Sequence, residues 1–85
     1  MRHWAERWSK GALPSELLAE EYARNPNSSA GQVAEIFLEE FPGIDWRAAV
    51  FIRRWNRNQE TDLGLSTDDL NRYIADLCAE WQTAI

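Results

Sequence analysis

One cysteine and one histidine in 85 residues remove most routes to enzymatic chemistry. A lone cysteine excludes an internal disulfide framework and has no resolving partner. No Cys/His cluster is available for zinc. The four glycines are scattered singly, so no phosphate-cradling loop exists. Valine, isoleucine and threonine total only ten, and no alternating strand pattern appears. No apolar run approaches the roughly 18 residues of a membrane span. The start of the chain, Met1-Arg2-His3-Trp4-Ala5-Glu6-Arg7, lacks the apolar stretch of a secretory signal. These absences fit a reducing, cytoplasmic setting.

What is present is helical spacing, acid and tryptophan. Hydrophobic residues make up 45% and charged residues 27%, enough apolar content for one small folded domain spanning 1–85. The breaks at Gly11 with Pro14, Asn25-Pro26-Asn27, Pro42-Gly43 and around Gly64 divide the chain into segments of helical period. The first, about residues 2–10, puts Met1, Trp4, Ala5 and Trp8 on one face; residues 1–12 read as a loosely packed N-terminal helix. The second, 14–24, carries Leu17, Leu18 and Tyr22, with Pro14 in its first turn.

A third helix opens on the capping box Ser29-Ala30-Gly31-Gln32. It presents Val33, Ala34, Phe37, Leu38 and Phe41 on one side, with Glu35 and Glu39 opposite and Ile36 at the polar edge. A fourth, 45–57, takes Asp45 as N-cap and turns Ala48, Phe51, Ile52 and Trp55 inward. The last begins at Ser66, with Asp69 three residues on. Its stripe is Leu70, Tyr73, Ile74, Leu77, Cys78 and Trp81, backed by Asp68, Asp69, Asp76 and Glu80. The expected fold is all-α, a compact bundle of four to five short helices in a single domain.

The chemistry-bearing residues read mostly as structure. His3 sits near a terminus, where a rigid base is hard to hold. Cys78 lies on a core stripe, where a thiol is a small hydrophobe. The acid pairs Glu20-Glu21, Glu39-Glu40 and Asp68-Asp69 are helix neighbours, which do not face each other across a cleft. The run Asn56 to Asp62 alternates oxygens like a calcium loop, but has Thr61 where the turn needs glycine and Thr67 where the bidentate acid belongs. No cofactor, metal or catalytic residue is expected, and the protein is expected not to be an enzyme.

Two signals remain. The net charge is −5, yet residues 44–59 hold four arginines against one aspartate, a local +3, so the rest carries −8. On the fourth helix Arg47, Val50, Arg54 and Arg57 fall opposite the core face, with Trp46 and Arg53 flanking. Tryptophan, at five per 85 residues, is abundant. Trp and Arg are the types enriched at interface hot spots, so Trp46, Arg47, Val50, Arg53, Arg54 and Arg57 form the expected protein-binding patch. The expected function is a small acidic interaction module, a stand-alone regulator or inhibitor of a larger phage or bacterial complex. The alternative is a helix-turn-helix-like DNA binder whose arginine helix meets the groove. A third reading has these arginines as a merely solvated or salt-bridged face, paired with nearby acids such as Glu35, Glu39 and Glu40. Trp55 and Trp81 are expected inside, and Trp4 and Trp8 are expected to cap the bundle's open end as core, with a homodimer through the Trp-bearing N-terminal helix also open.

The segment Phe41-Pro42-Gly43-Ile44-Asp45 resembles the turn of CUE-type ubiquitin-binding domains, three-helix bundles whose first helix ends in Phe-Pro. The likeness is confined to residues 41–45. Glu40 stands where that family has methionine, and Leu77-Cys78 where it has two leucines, so ubiquitin binding is not carried over.

Overall fold

The computed structural model describes residues 2–56 and 64–83, and the chain is all-α over them. Its helices are α1 (Trp4–Ser9), α2 (Pro14–Arg24), α3 (Ala30–Glu40), α4 (Arg47–Arg54) and α5 (Thr67–Thr83). Met1 and residues 57–63, with Arg57 and most of the calcium-like run, lie outside the described residues.

Local chemistry sets most of the boundaries. At α2 the Glu16 carboxylate accepts from the Leu13 N–H at 3.1 Å, and Pro14 occupies the first turn. The buried Ser15 N–H, an orphan donor of that turn, donates to Asn71 Oδ1 at 2.8 Å and so ties α2 to α5. At α3 the capping box forms in both directions. Gln32 N donates to Ser29 Oγ at 3.1 Å, and Ser29 N donates to Gln32 Oε1 at 2.8 Å. The chain leaves α3 through Gly43, whose φ of +86° a side chain would strain, while Ile44 N returns to Phe41 O.

The fourth helix is shorter than its sequence pattern at both ends. The Asp45 carboxylate does accept from the Arg47 N–H at 2.9 Å, but Trp46 is the residue that leads into the helix. At the other end Trp55 turns extended and pairs in parallel with Leu65, through Leu65 N to Arg54 O and Asn56 N to Leu65 O, both 2.8 Å. That closure needs Gly64: at φ +91°, a Cβ there would stand 2.5 Å from the Arg54 carbonyl oxygen. The backbone thus finds partners in the bridge where the sequence pattern would continue the helix.

The core draws on every helix. Leu17, Leu18, Val33, Ala34, Phe37, Phe41, Ala48, Ile52, Leu70, Ile74 and Cys78 are buried. Phe37 stacks on Phe41 at 4.5 Å, and Trp81 meets Phe41 edge-on at 5.2 Å. Trp55 and Trp81 are half-buried, and each indole N–H is satisfied: Trp55 donates to Thr67 Oγ1 (3.1 Å), Trp81 to the Pro42 carbonyl (2.7 Å). Leu38 and Ile36 are also half-buried against the core, so Ile36 is less exposed than its place at the polar edge implies.

The short α1 is held by its tryptophan and by charge. Trp4 is 1% exposed and lies 6.0 Å from the Phe37 ring, while Trp8 is half-buried. The Trp4 N–H donates to the Glu40 carboxylate at 3.1 Å. Arg2 grips Glu21 with two hydrogen bonds, 2.8 and 3.2 Å, and Arg7 reaches Glu20 at 2.8 Å. Glu21 is 2% exposed; its hydrogen bonds from Arg2 outweigh the cost of burial and hold its carboxyl below the usual range. With Trp4 inside the chain, a homodimer through that indole has no free ring to use.

Candidate partner-binding face

The candidate residues sit on the outer side of α4 because its inner side is fully occupied. Ala48 and Ile52 point into the core. At about 100° per residue the opposite side then falls to Trp46 and Val50, with Arg53 on one flank and Arg47 and Arg54 on the other. Trp46 is 70% exposed, Arg47, Arg53 and Arg54 are exposed, and Val50 is half-buried. Arg57, the sixth expected member, lies outside the described residues.

The three arginines are not equivalent. Arg47 turns back on Asp45 in a bidentate pair, Nε at 3.1 Å from each carboxylate oxygen and Nη2 at 2.7 Å from Oδ2. The contact lowers the Asp45 carboxyl and raises the Arg47 guanidinium, in both cases chiefly through the side-chain hydrogen bonds. Arg53 leans toward the first turn of α3, where a methyl on Gly31 would meet its guanidinium at 3.6 Å. Neither Arg53 nor Arg54 has an ion pair among the described residues. Of the reading that these arginines are solvated or salt-bridged, Arg47 takes the salt bridge, with Asp45 and not Glu35, Glu39 or Glu40, and Arg53 and Arg54 stand exposed. Glu40 accepts from Trp4 N, and Glu35 and Glu39 make no ion pair among the described residues.

Beside α4 runs α5, antiparallel to it. Trp55 meets Thr67 at one end, Phe51 stacks on Tyr73 in the middle at 5.2 Å, and Glu80 lies within electrostatic reach of Arg47 at the other. Tyr73 departs from its place on the core stripe: it is 38% exposed, and Arg72 rides over its ring at 5.3 Å. Phe51 is half-buried, not core. The sequence held a signal for this. Tyr73 lies about 100° from Ile74, at the rim of the stripe, in line with Asp69, Asp76 and Glu80. The outer surface of the α4–α5 pair is therefore a basic strip and an acidic strip joined by an aromatic seam.

Cys78 is buried, and burial pushes its thiol up to about 12, far from the thiolate a nucleophile needs. His3 is exposed at the start of α1, 3.9 Å from Glu6. Among the described residues no three His, Cys, Asp or Glu side chains gather to hold a metal, and no helix is long and apolar enough to cross a membrane. An open polar depression of about 310 Å³ lies between α2 and α3, lined by Arg24, Asn25, Pro26, Asn27, Ser28 and Gln32. No family model, curated protein or solved structure matches the chain.

Proposed function

We propose that the protein is a small interaction module that acts by binding, not catalysis, and that its contact face is the outer side of α4. The observation that carries this reading is the 70% exposed Trp46 on the same helix as Arg53 and Arg54, neither of which has an acidic partner among the described residues. An exposed indole covers a large apolar area, and an unpaired guanidinium is a ready multi-donor group. Together they suit a protein surface that is acidic around an apolar recess. Such a face would let a small module act as a regulator or inhibitor by covering a partner's surface.

Duplex DNA is the weaker fit. A phosphate backbone laid along α4 would run beside Asp69, Asp76 and Glu80 of α5, and Arg47 is already held by Asp45. Fluorescence anisotropy with random duplex DNA at low salt separates the two readings. No binding is expected; micromolar binding with a steep salt slope would replace the protein-interface reading with the DNA one. In parallel, recovery of a protein partner by the tagged full chain is expected to fall at least about tenfold in Trp46→Ala and Arg53→Glu, with helicity unchanged by circular dichroism.

A further inference from the structure

The α4–α5 surface is complementary to itself, and we infer that its occupant is a second copy of this chain, packed face to face as a symmetric dimer. This rests on reading the outer side of α4 as a binding face. The charges divide by helix: residues 47–54 of α4 carry three arginines and no acid, a net +3, and residues 67–83 of α5 carry four acids and one arginine, a net −3. Much of this charge is not neutralised within the chain. Arg53 and Arg54 on α4, and Asp68, Asp76 and Glu80 on α5, make no ion pair among the described residues. Between the strips lie Phe51 and Tyr73, stacked and partly exposed, an apolar centre of the kind a polar rim encloses.

Symmetry selects the arrangement. Two copies can meet face to face about a two-fold axis that runs along the helices or across them. An axis across the helices lays α4 on α4 and α5 on α5, arginine against arginine and acid against acid. An axis along the helices lays α4 on the second copy's α5, twice, and brings the two Phe51–Tyr73 pairs together at the centre. It also preserves height along the helices. Because α4 and α5 are antiparallel, Arg54 then faces the first turn of the second copy's α5, with Asp69, which also holds its own Arg72 at 3.0 Å, while Arg47, which keeps its pair with Asp45, faces the later turns, with Asp76 and Glu80. Only this axis joins opposite charges at both ends.

The test is the mass of the full chain by sedimentation equilibrium from about 1 μM to about 1 mM, a span that covers weak dimers. The wild type is expected to reach twice the chain mass, and raising salt from about 0.05 to about 0.5 M is expected to weaken the dimer about tenfold. Arg54→Glu and Asp69→Arg, both at exposed or half-exposed positions, are each expected to weaken it at least about tenfold with unchanged helicity. An equimolar mixture of the two variants has one contact with wild-type charges and one with both charges exchanged, so its mass is expected to return toward that of the dimer. A wild type that stays monomeric throughout overturns the inference. So does a dimer indifferent to both substitutions, or a mixture that fails to recover. None of these removes the Trp46 face as such, because the loss of a different partner in Trp46→Ala is measured separately.

Discussion

Two regions of this molecule use the same residue types to opposite ends. At the N-terminus, Trp4 stands with Arg2 and Arg7; on α4, Trp46 stands with Arg53 and Arg54. Trp4 is 1% exposed, and its arginines close on Glu21 and Glu20 at 2.8 Å. Trp46 is 70% exposed, and its two arginines find no acid among the described residues. The difference lies in what faces each group, not in the groups. A tryptophan and an arginine become structure where an apolar ring and a carboxylate meet them, and remain a surface where nothing does. At the first region the chain completes itself; at the second it leaves an indole and two guanidiniums uncovered among the described residues.

The contrast can be broken from either side. The largest expected effect is Trp4→Ala, which removes the ring packed on Phe37 and should cost about 3–5 kcal/mol in urea unfolding. Trp46→Ala, the same change on α4, should stay within about 0.5 kcal/mol. Equal losses at the two positions would show that the contrast in burial does not carry over to energy.

Next comes Arg2→Ala, which leaves the buried Glu21 carboxylate with Asn25 as its remaining side-chain donor, at 3.2 Å, and should cost about 2 kcal/mol at neutral pH. The same pair sets a pH dependence. Glu21 has a lowered folded-state pKa, so its contribution is complete above the unfolded carboxylate value and is lost as pH falls through the folded one. Stability should therefore drop as the medium is acidified below about pH 4, and less steeply in Arg2→Ala, when unfolding free energy is followed against pH.

Asp45→Ala sharpens the comparison within α4 itself. It removes the acceptor for Arg47 N and frees the Arg47 guanidinium, and should cost about 1 kcal/mol in thermal unfolding while making the face more basic. The smallest effect is expected for Arg53→Ala and Arg54→Ala, each within about 0.5 kcal/mol in the monomer, because neither breaks an ion pair. A larger loss at either would mean that it is structural, as Arg2 is.

Much of the fold was legible because helix signals are short-range. The capping box at Ser29 and Gln32, the proline at Pro14, the stop at Pro42-Gly43 and the stripe from Leu70 to Trp81 all act within a turn or two of chain. Reading failed where a distant segment competes. The helical pattern runs on past Arg54, but Leu65, ten residues from Trp55, captures the backbone there. Tyr73 and Phe51 share the period of the core stripes yet lie at their rims, because period alone cannot tell the centre of an apolar stripe from its edge. The arginine cluster was visible by composition, but its division into one tethered and two unpaired members was not.

The sequence by itself determined that this chain is helical, where most of its helices begin and that basic charge gathers on the fourth. Caps, breakers and periodicity are properties of neighbours along the chain. Only the tertiary structure decided how deeply each tryptophan is buried and which arginines are paired. Glu21 lies 19 residues from Arg2, Glu40 lies 36 from Trp4, and Pro42 lies 39 from Trp81. Burial and pairing depend on which distant groups the packing brings within a few ångströms.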